Sequence, residues 1–198
     1  MAELPTIYLV RHGATAWSVS GQHTGRTDLP LNKDGEDNAR RLGERLRGQV
    51  FEHVWSSPLQ RALNTCRLAG FGDKVEIDPE LLEWNYGNYE GKTSAEIRQN
   101  RPGWRLFRDG CPGGESVADV MARADRVVAK WRRVQDRGLV FSSGHILRTI
   151  GARWCELEAA VGARLYLSTG SISILGYDHA RDEPVLRSWN DTTHLATR

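Results

Sequence analysis

The sequence predicts an α/β fold: a three-layer α/β/α domain around a mostly parallel central sheet, with one edge antiparallel. Three observations predict it. Short apolar runs bounded by turn residues recur along the chain. Segments with helical spacing of apolar residues alternate with them, as expected for strands joined by crossover helices. The last two runs are separated by a short turn with no room for a helix, so that pair is read as antiparallel.

Residues 6–11 read as the first strand. Residues 13–31 form a long polar connection containing Gly21, Gly25 and Pro30, and a loop of this length in a compact domain is usually functional or disordered. Asn32 is placed to cap a helix in which Ala39, Leu42 and Leu46 keep helical spacing, ending near Gly48. Residues 53–56 are a short strand. Ser57 and Pro58 then supply a cap and a first-turn proline for a helix to about Gly70. Residues 75–77 are a third strand. Residues 78–115 read as a small irregular lid segment with one short helix over 94–100, and they carry Trp84, Tyr86, Tyr89, Trp104 and Phe107. Ser116 caps the next helix with Asp119 three residues on, and that helix is expected to reach about Asp136. A buried strand over 138–142 leads into a helix over 144–155. Strands over 171–177 and 185–189 close the fold.

The bulk numbers fit one domain, taken to cover residues 1–198, with enough chain for a sizeable core. A net charge of +2 and the lack of a long basic run argue against nucleic acid as the partner. No apolar stretch approaches the ~20 residues of a membrane span. No basic stretch followed by an apolar core marks a signal peptide. Cys66, Cys111 and Cys155 are odd in number and widely spaced, which fits a reducing, cytoplasmic setting and neither a disulfide framework nor a zinc site. Oligomeric state is not legible.

Four short motifs carry chemistry. Tyr8-Leu9-Val10-Arg11-His12-Gly13 delivers a guanidinium and an imidazole to the carboxyl edge of the sheet, where open α/β sheets bind ligands. A neighbouring cation biases His12 toward its neutral, nucleophilic form, and an arginine fork fits a phosphate. Ser56-Ser57-Pro58-Leu59-Gln60-Arg61 brings a second guanidinium to the same edge. Leu82-Glu83-Trp84-Asn85-Tyr86-Gly87 sets a carboxylate and a phenol in an aromatic turn. Ser142-Ser143-Gly144-His145-Ile146-Leu147-Arg148 is a strand-to-helix turn with a second histidine. His23, His53, His179 and His194 read as packing or surface residues, with His23 set apart by its place in the front loop.

In this order and spacing the motifs resemble the histidine phosphatase superfamily, the branch containing the cofactor-dependent phosphoglycerate mutases. Residues 8–189 are covered. The stretches 11–31, 83–91 and 110–116 look most similar to the sedoheptulose-1,7-bisphosphatase type and to small bacterial acid phosphatases. The resemblance implies a phosphatase acting on a small phosphorylated metabolite through phosphohistidine at His12, without metal or cofactor. It implies that Arg11 and Arg61 hold the phosphoryl oxygens and that Glu83 serves as general acid and then base. It also implies that Ser18, Thr24 and Tyr86 contact substrate.

The chain departs from the family pattern at one point. Relatives carry a second catalytic histidine directly before the glycine and five residues before an arginine. Counting back from Arg148, that position is Ser143. Either His145 replaces the missing donor, or Ser143 gives a weaker hydrogen bond beside the helix N-terminus, or the chain is a weakly catalytic phospholigand-binding protein. A mutase-type phosphotransferase is a further alternative. The longer basic insert of mutases is absent, although Arg98, Arg101, Arg105 and Arg108 could recognise a second phosphate.

Overall fold

The computed structural model describes residues 4–196, so the ends of the expected domain, residues 1–3 and 197–198, lie outside the described residues. Six strands, β1 (Ile7–Arg11), β2 (His53–Ser56), β3 (Val75–Ile77), β4 (Gly138–Ser142), β5 (Ile172–Tyr177) and β6 (Pro184–Asp191), form one sheet in the order β3-β2-β4-β1-β5-β6. The first four are parallel to one another. β5 runs antiparallel to both β1 and β6, so the reversal expected at the edge is made by β5.

Alternation along the strands sorts side chains onto two faces. Val10, Val54, Leu139 and Phe141 pack on one face with α2 (Lys33–Leu46) and α3 (Gln60–Leu68) through Leu42, Leu46, Ala62 and Cys66. Ile7, Leu9, Trp55 and Val140 pack on the other with α6 (Val117–Trp131) and α7 (Gly144–Trp154) through Val120, Val127, Ile146 and Ile150. The result is the three-layer arrangement the sequence predicts. Trp84, Tyr86, Trp104 and Phe107 belong to that second cluster, so the aromatic side chains of 78–115 extend the main core.

Several element boundaries differ from expectation. The 13–31 connection contains a short helix, α1 (Ala16–Ser20), held by a reciprocal Thr15–Ser18 capping box; five residues are too few to show periodicity. Helix α3 starts at Gln60 because the Ser57 N–H donates to Phe141 O at 2.9 Å, which keeps residue 57 with the sheet. Its first N–H is capped instead by Asp28 Oδ1, at 2.8 Å. The short helix α4 (Ser94–Asn100) starts and ends where expected, and a further turn, α5 (Leu106–Asp109), follows it. Helix α6 ends at Trp131, before the expected position, and Val134 turns in against the core ahead of β4.

Candidate active site

At the end of β1, the His12 N–H donates to Ser142 O at 2.9 Å, and the Gly170 N–H is shared by the Arg11 and His12 carbonyls at 3.0 Å each. His12 is thereby fixed at the sheet's carboxyl edge. Its Nδ1 lies 2.7 Å from Gly13 O. A carbonyl only accepts, so Nδ1 carries the proton and Nε2 keeps its lone pair. Burial, then the charges of Arg61 and Arg11, hold the imidazole well below its ordinary pKa, against a smaller opposing effect of the Gly13 bond. The close approach behind it needs two glycines: a Cβ on Gly13 would strike Gly35 O, and one on Gly35 would strike Ala14 O.

Helix α7 begins beside His12, and its cap comes from elsewhere in the chain. Ser143 occupies the cap position, yet its hydroxyl makes no cap bond. The N–H groups of His145 and Ile146 donate instead to the two oxygens of Glu83, at 2.9 and 2.8 Å, and Trp84 N–H adds a third bond at 2.8 Å. A carboxylate here answers both the orphan donors and the positive end of the helix dipole. Asp28 does the same for α3, so both helices that open onto the site are tied to loops that line it or carry its residues.

The Glu83 turn is held from below. Arg123 is buried and donates to Glu80 O at 2.7 Å and to Leu82 O at 2.6 Å. Its Nε and Nη2 grip the Glu115 carboxylate at 2.9 Å each, and Asn85 N–H reaches Glu115 Oε2 at 2.7 Å. Sequence reasoning missed this pair. The available signal was position: Arg123 falls on the buried stripe of α6 with Val120, Ala124 and Val127.

A cavity of about 190 Å³ opens between these elements, and its lining includes Arg11, His12, Ser18, Thr24, Glu83, Tyr86 and His145. Arg11 Nη1 donates to Leu167 O, while its Nε is buried with no partner among the described residues. Tyr86 Oη lies 2.6 Å from His145 Nδ1. The Ser18 hydroxyl is engaged in the Thr15 capping box, and that of Thr24 donates to Gln22 O at 3.3 Å. Arg61 and Ser143 are buried and contribute no surface to the lining. Arg61 donates to the carbonyls of Thr24, Gly25 and Thr27 at 2.9–3.0 Å and through Nε to Ser143 Oγ at 3.4 Å. Four of its five N–H groups are thus spent on the front loop and on Ser143.

A second cavity, about 390 Å³, shares His23, His145 and Arg148 with the first. Arg98, Arg105, Arg108 and Arg164 also line it, and among the described residues no carboxylate does. Arg101 turns away and lines another part of the surface. Arg148 donates to Gly162 O at 2.8 Å and stacks on Phe107 with its guanidinium 4.9 Å from the ring centre. His23 sits at the junction, 4.8 Å from Tyr86 and 6.1 Å from His145 between ring centres. Burial lowers its pKa to about 4. Among the described residues, the one acid–histidine cluster compact enough for an ion, Asp178, His179 and Glu183, is exposed on the β5–β6 turn and lines neither cavity.

A parallel-sheet edge presenting a neutral histidine, an arginine and a helix-capping glutamate defines a phosphoryl-handling α/β enzyme. The chain belongs to the histidine phosphatase superfamily (branch 1), whose family model matches residues 7–192. It is a phosphatase. It is 41% identical to an acid phosphatase of Mycobacterium tuberculosis over 87% of each chain. It is 32% identical to the sedoheptulose 1,7-bisphosphatase of Saccharomyces cerevisiae over 92% of this chain and 91% of that one. A solved structure of an open-reading-frame product from Mycobacterium tuberculosis superposes with a TM-score of 0.89 at 38% identity, covering 93% of this chain and 96% of the other.

Proposed function

We propose that the protein hydrolyses small phosphate monoesters through a phosphohistidine on His12 Nε2. The observation that carries this is the Nδ1 bond to Gly13 O, which leaves Nε2 as a free lone pair in the cavity. Nε2 attacks phosphorus and the ester P–O bond breaks. An ester bound as its monoanion brings a proton that the Glu83 carboxylate takes up and passes to the leaving oxygen. The carboxylate then takes one from the water that attacks the phosphohistidine, the P–N bond breaks to regenerate His12, and that proton leaves with the product phosphate. Arg11 lines the cavity and brings its guanidinium charge to the phosphoryl oxygens. Arg61 adds charge from behind and holds the loop that carries Thr24. His145 takes the place of the histidine that Ser143 lacks, since His145 lines the cavity and Ser143 does not.

The preferred substrate carries a second anionic group. The arginine-lined cavity adjoining the phosphate cavity supports this, and the yeast relative's name is that of a sugar bisphosphatase. Residues 78–115 serve as a lid over both cavities. The three free cysteines fit a cytoplasmic setting.

The test is turnover of para-nitrophenyl phosphate and a panel of metabolite phosphates by wild type and His12→Ala, with acid-quench trapping of phosphoprotein. Labelled phosphate on wild type and none on the variant is expected. Unchanged turnover by His12→Ala would overturn the mechanism.

A further inference from the structure

We propose that Tyr86 is a positioning residue that fixes His145 in the tautomer protonated on Nε2, making that imidazole a hydrogen-bond donor toward a phosphoryl group held at His12. The inference rests on the phosphohistidine reading and adds a role that the second histidine's displacement makes necessary.

The geometry leaves one consistent proton arrangement. Tyr86 is 2% exposed, and His145 Nδ1, at 2.6 Å, is the only hydrogen-bond partner of its hydroxyl among the described residues. A buried phenol must place its proton on an acceptor, and Nδ1 accepts only when it carries no hydrogen. The neutral ring then holds its proton on Nε2. Burial and the nearby Glu83 keep Tyr86 a phenol. Burial, with Arg148, His23 and Arg11, keeps His145 neutral.

The alternative arrangement, with an Nδ1 proton donated to Tyr86 Oη, leaves the phenol's own proton with no acceptor among the described residues, and no other group is placed to receive an Nδ1 proton. Glu83 Oε2 is 3.9 Å from Nδ1 and already accepts the His145 N–H. The His23 ring centre is 6.1 Å away. Nε2 itself has no partner among the described residues, and the ring lines both cavities, so its N–H is free to meet a ligand. Packing prevents Tyr86 from leaving: the His23 ring lies 4.8 Å from it, and a Cβ on Gly25 would come within 2.9 Å of its Cδ2. The same Cβ would meet Glu90 Oε2 and Trp84 O at 2.6 Å, so the front loop lies tight against the turn that carries Tyr86.

The test reads the tautomer directly. Imidazole ¹⁵N spectra of the resting protein, with the His145 signals assigned by their loss in His145→Gln, are expected to show the proton on Nε2. In Tyr86→Phe the signals should move toward a tautomer mixture. Turnover should fall roughly 10- to 100-fold, the range for losing an orienting partner of a functional histidine, with KM for para-nitrophenyl phosphate little changed. In a His145→Ala background, Tyr86→Phe should cost nothing further. A wild-type proton on Nδ1, an unchanged tautomer in Tyr86→Phe, or losses that add across the two variants would each overturn the proposal. The wild-type spectrum needs no variant to fold beyond the one used for assignment. It is also independent of whether His12 becomes phosphorylated, so failure of that mechanism and failure of this proposal are separable.

Discussion

His12 and His145 stand at the ends of two elements that meet at one cavity, and the structure keeps both uncharged at neutral pH. They differ in what faces Nδ1. At His12 it is a carbonyl, which only accepts, so the lone pair is left on Nε2. At His145 it is a phenol with one proton to give, so the proton is left on Nε2. Two residues of one kind, one buried and one half-buried, thereby become a nucleophile and a donor. A local partner 2.6–2.7 Å away decides the chemistry of the atom on the opposite side of the ring.

The sharpest test of that contrast is to remove each ring in turn. His12→Ala deletes the atom that bonds to phosphorus, and kcat is expected to fall by about 10⁴-fold or more. Glu83→Gln comes next. It removes the proton carrier, for a loss of about 10³, and turns an amide N–H₂ toward the donors of α7. The loss should shrink for substrates whose leaving groups need no proton, which para-nitrophenyl and alkyl phosphates compared side by side will show. Unfolding by urea should report about 1–3 kcal/mol lost, because one helix N–H then faces a donor. His145→Ala removes a single transition-state donor, for about 10² in kcat. A loss under about threefold would return the role to Ser143 or to the backbone, and the contrast between the two histidines would collapse.

How much of this was legible in the sequence depends on how local each feature is. The end of β1 was legible because an apolar run stops abruptly at Arg11-His12-Gly13. Helix α4 was legible because Thr93 and Glu96 form a capping box within four residues. The start of α3 was misread because Ser57-Pro58 imitates a cap, whereas the Ser57 N–H is bound to Phe141, a residue far along the chain. The cap of α7 by Glu83 and the clamp of Arg123 on Glu115 were illegible for the same reason. Each joins segments whose proximity only the folded sheet creates. The arginines show both cases. Arg98, Arg105 and Arg108 converge as their clustering suggested, Arg101 diverges, and Arg148 and Arg164 arrive from the other side of the cavity.

The His145 side of the comparison carries a further, smaller expectation. If the second cavity receives an anionic group, Arg105→Ala and Arg148→Ala should raise KM for a sugar bisphosphate about tenfold each, as expected for a lost charge-assisted hydrogen bond of about 1.5 kcal/mol. KM for para-nitrophenyl phosphate should stay nearly constant in Arg105→Ala, because Arg105 lines only the second cavity. Equal effects on both substrates would remove the distinction between a reacting side at His12 and a recognising side beyond His145.

The smallest effect concerns His23, which packs between the two cavities and whose pKa is lowered to about 4, chiefly by burial. Unfolded, the same ring titrates near 6.5. Between those values the unfolded chain binds the extra proton and the folded one does not, so stability rises with pH across the window. The contribution is complete above about pH 6.5 and is lost as pH falls toward 4. His23→Phe keeps the ring contacts with Tyr86 and Trp104 and removes the proton site. The drop in Tm between pH 7 and pH 5 should therefore be about 4–8 °C smaller in the variant than in wild type, the size of a ~2 kcal/mol effect in a chain of this length. An equal drop in both would show that His23 titrates in the folded protein as it does in water. The wall that separates the nucleophile from the recognition cavity would then be wetter than its packing implies.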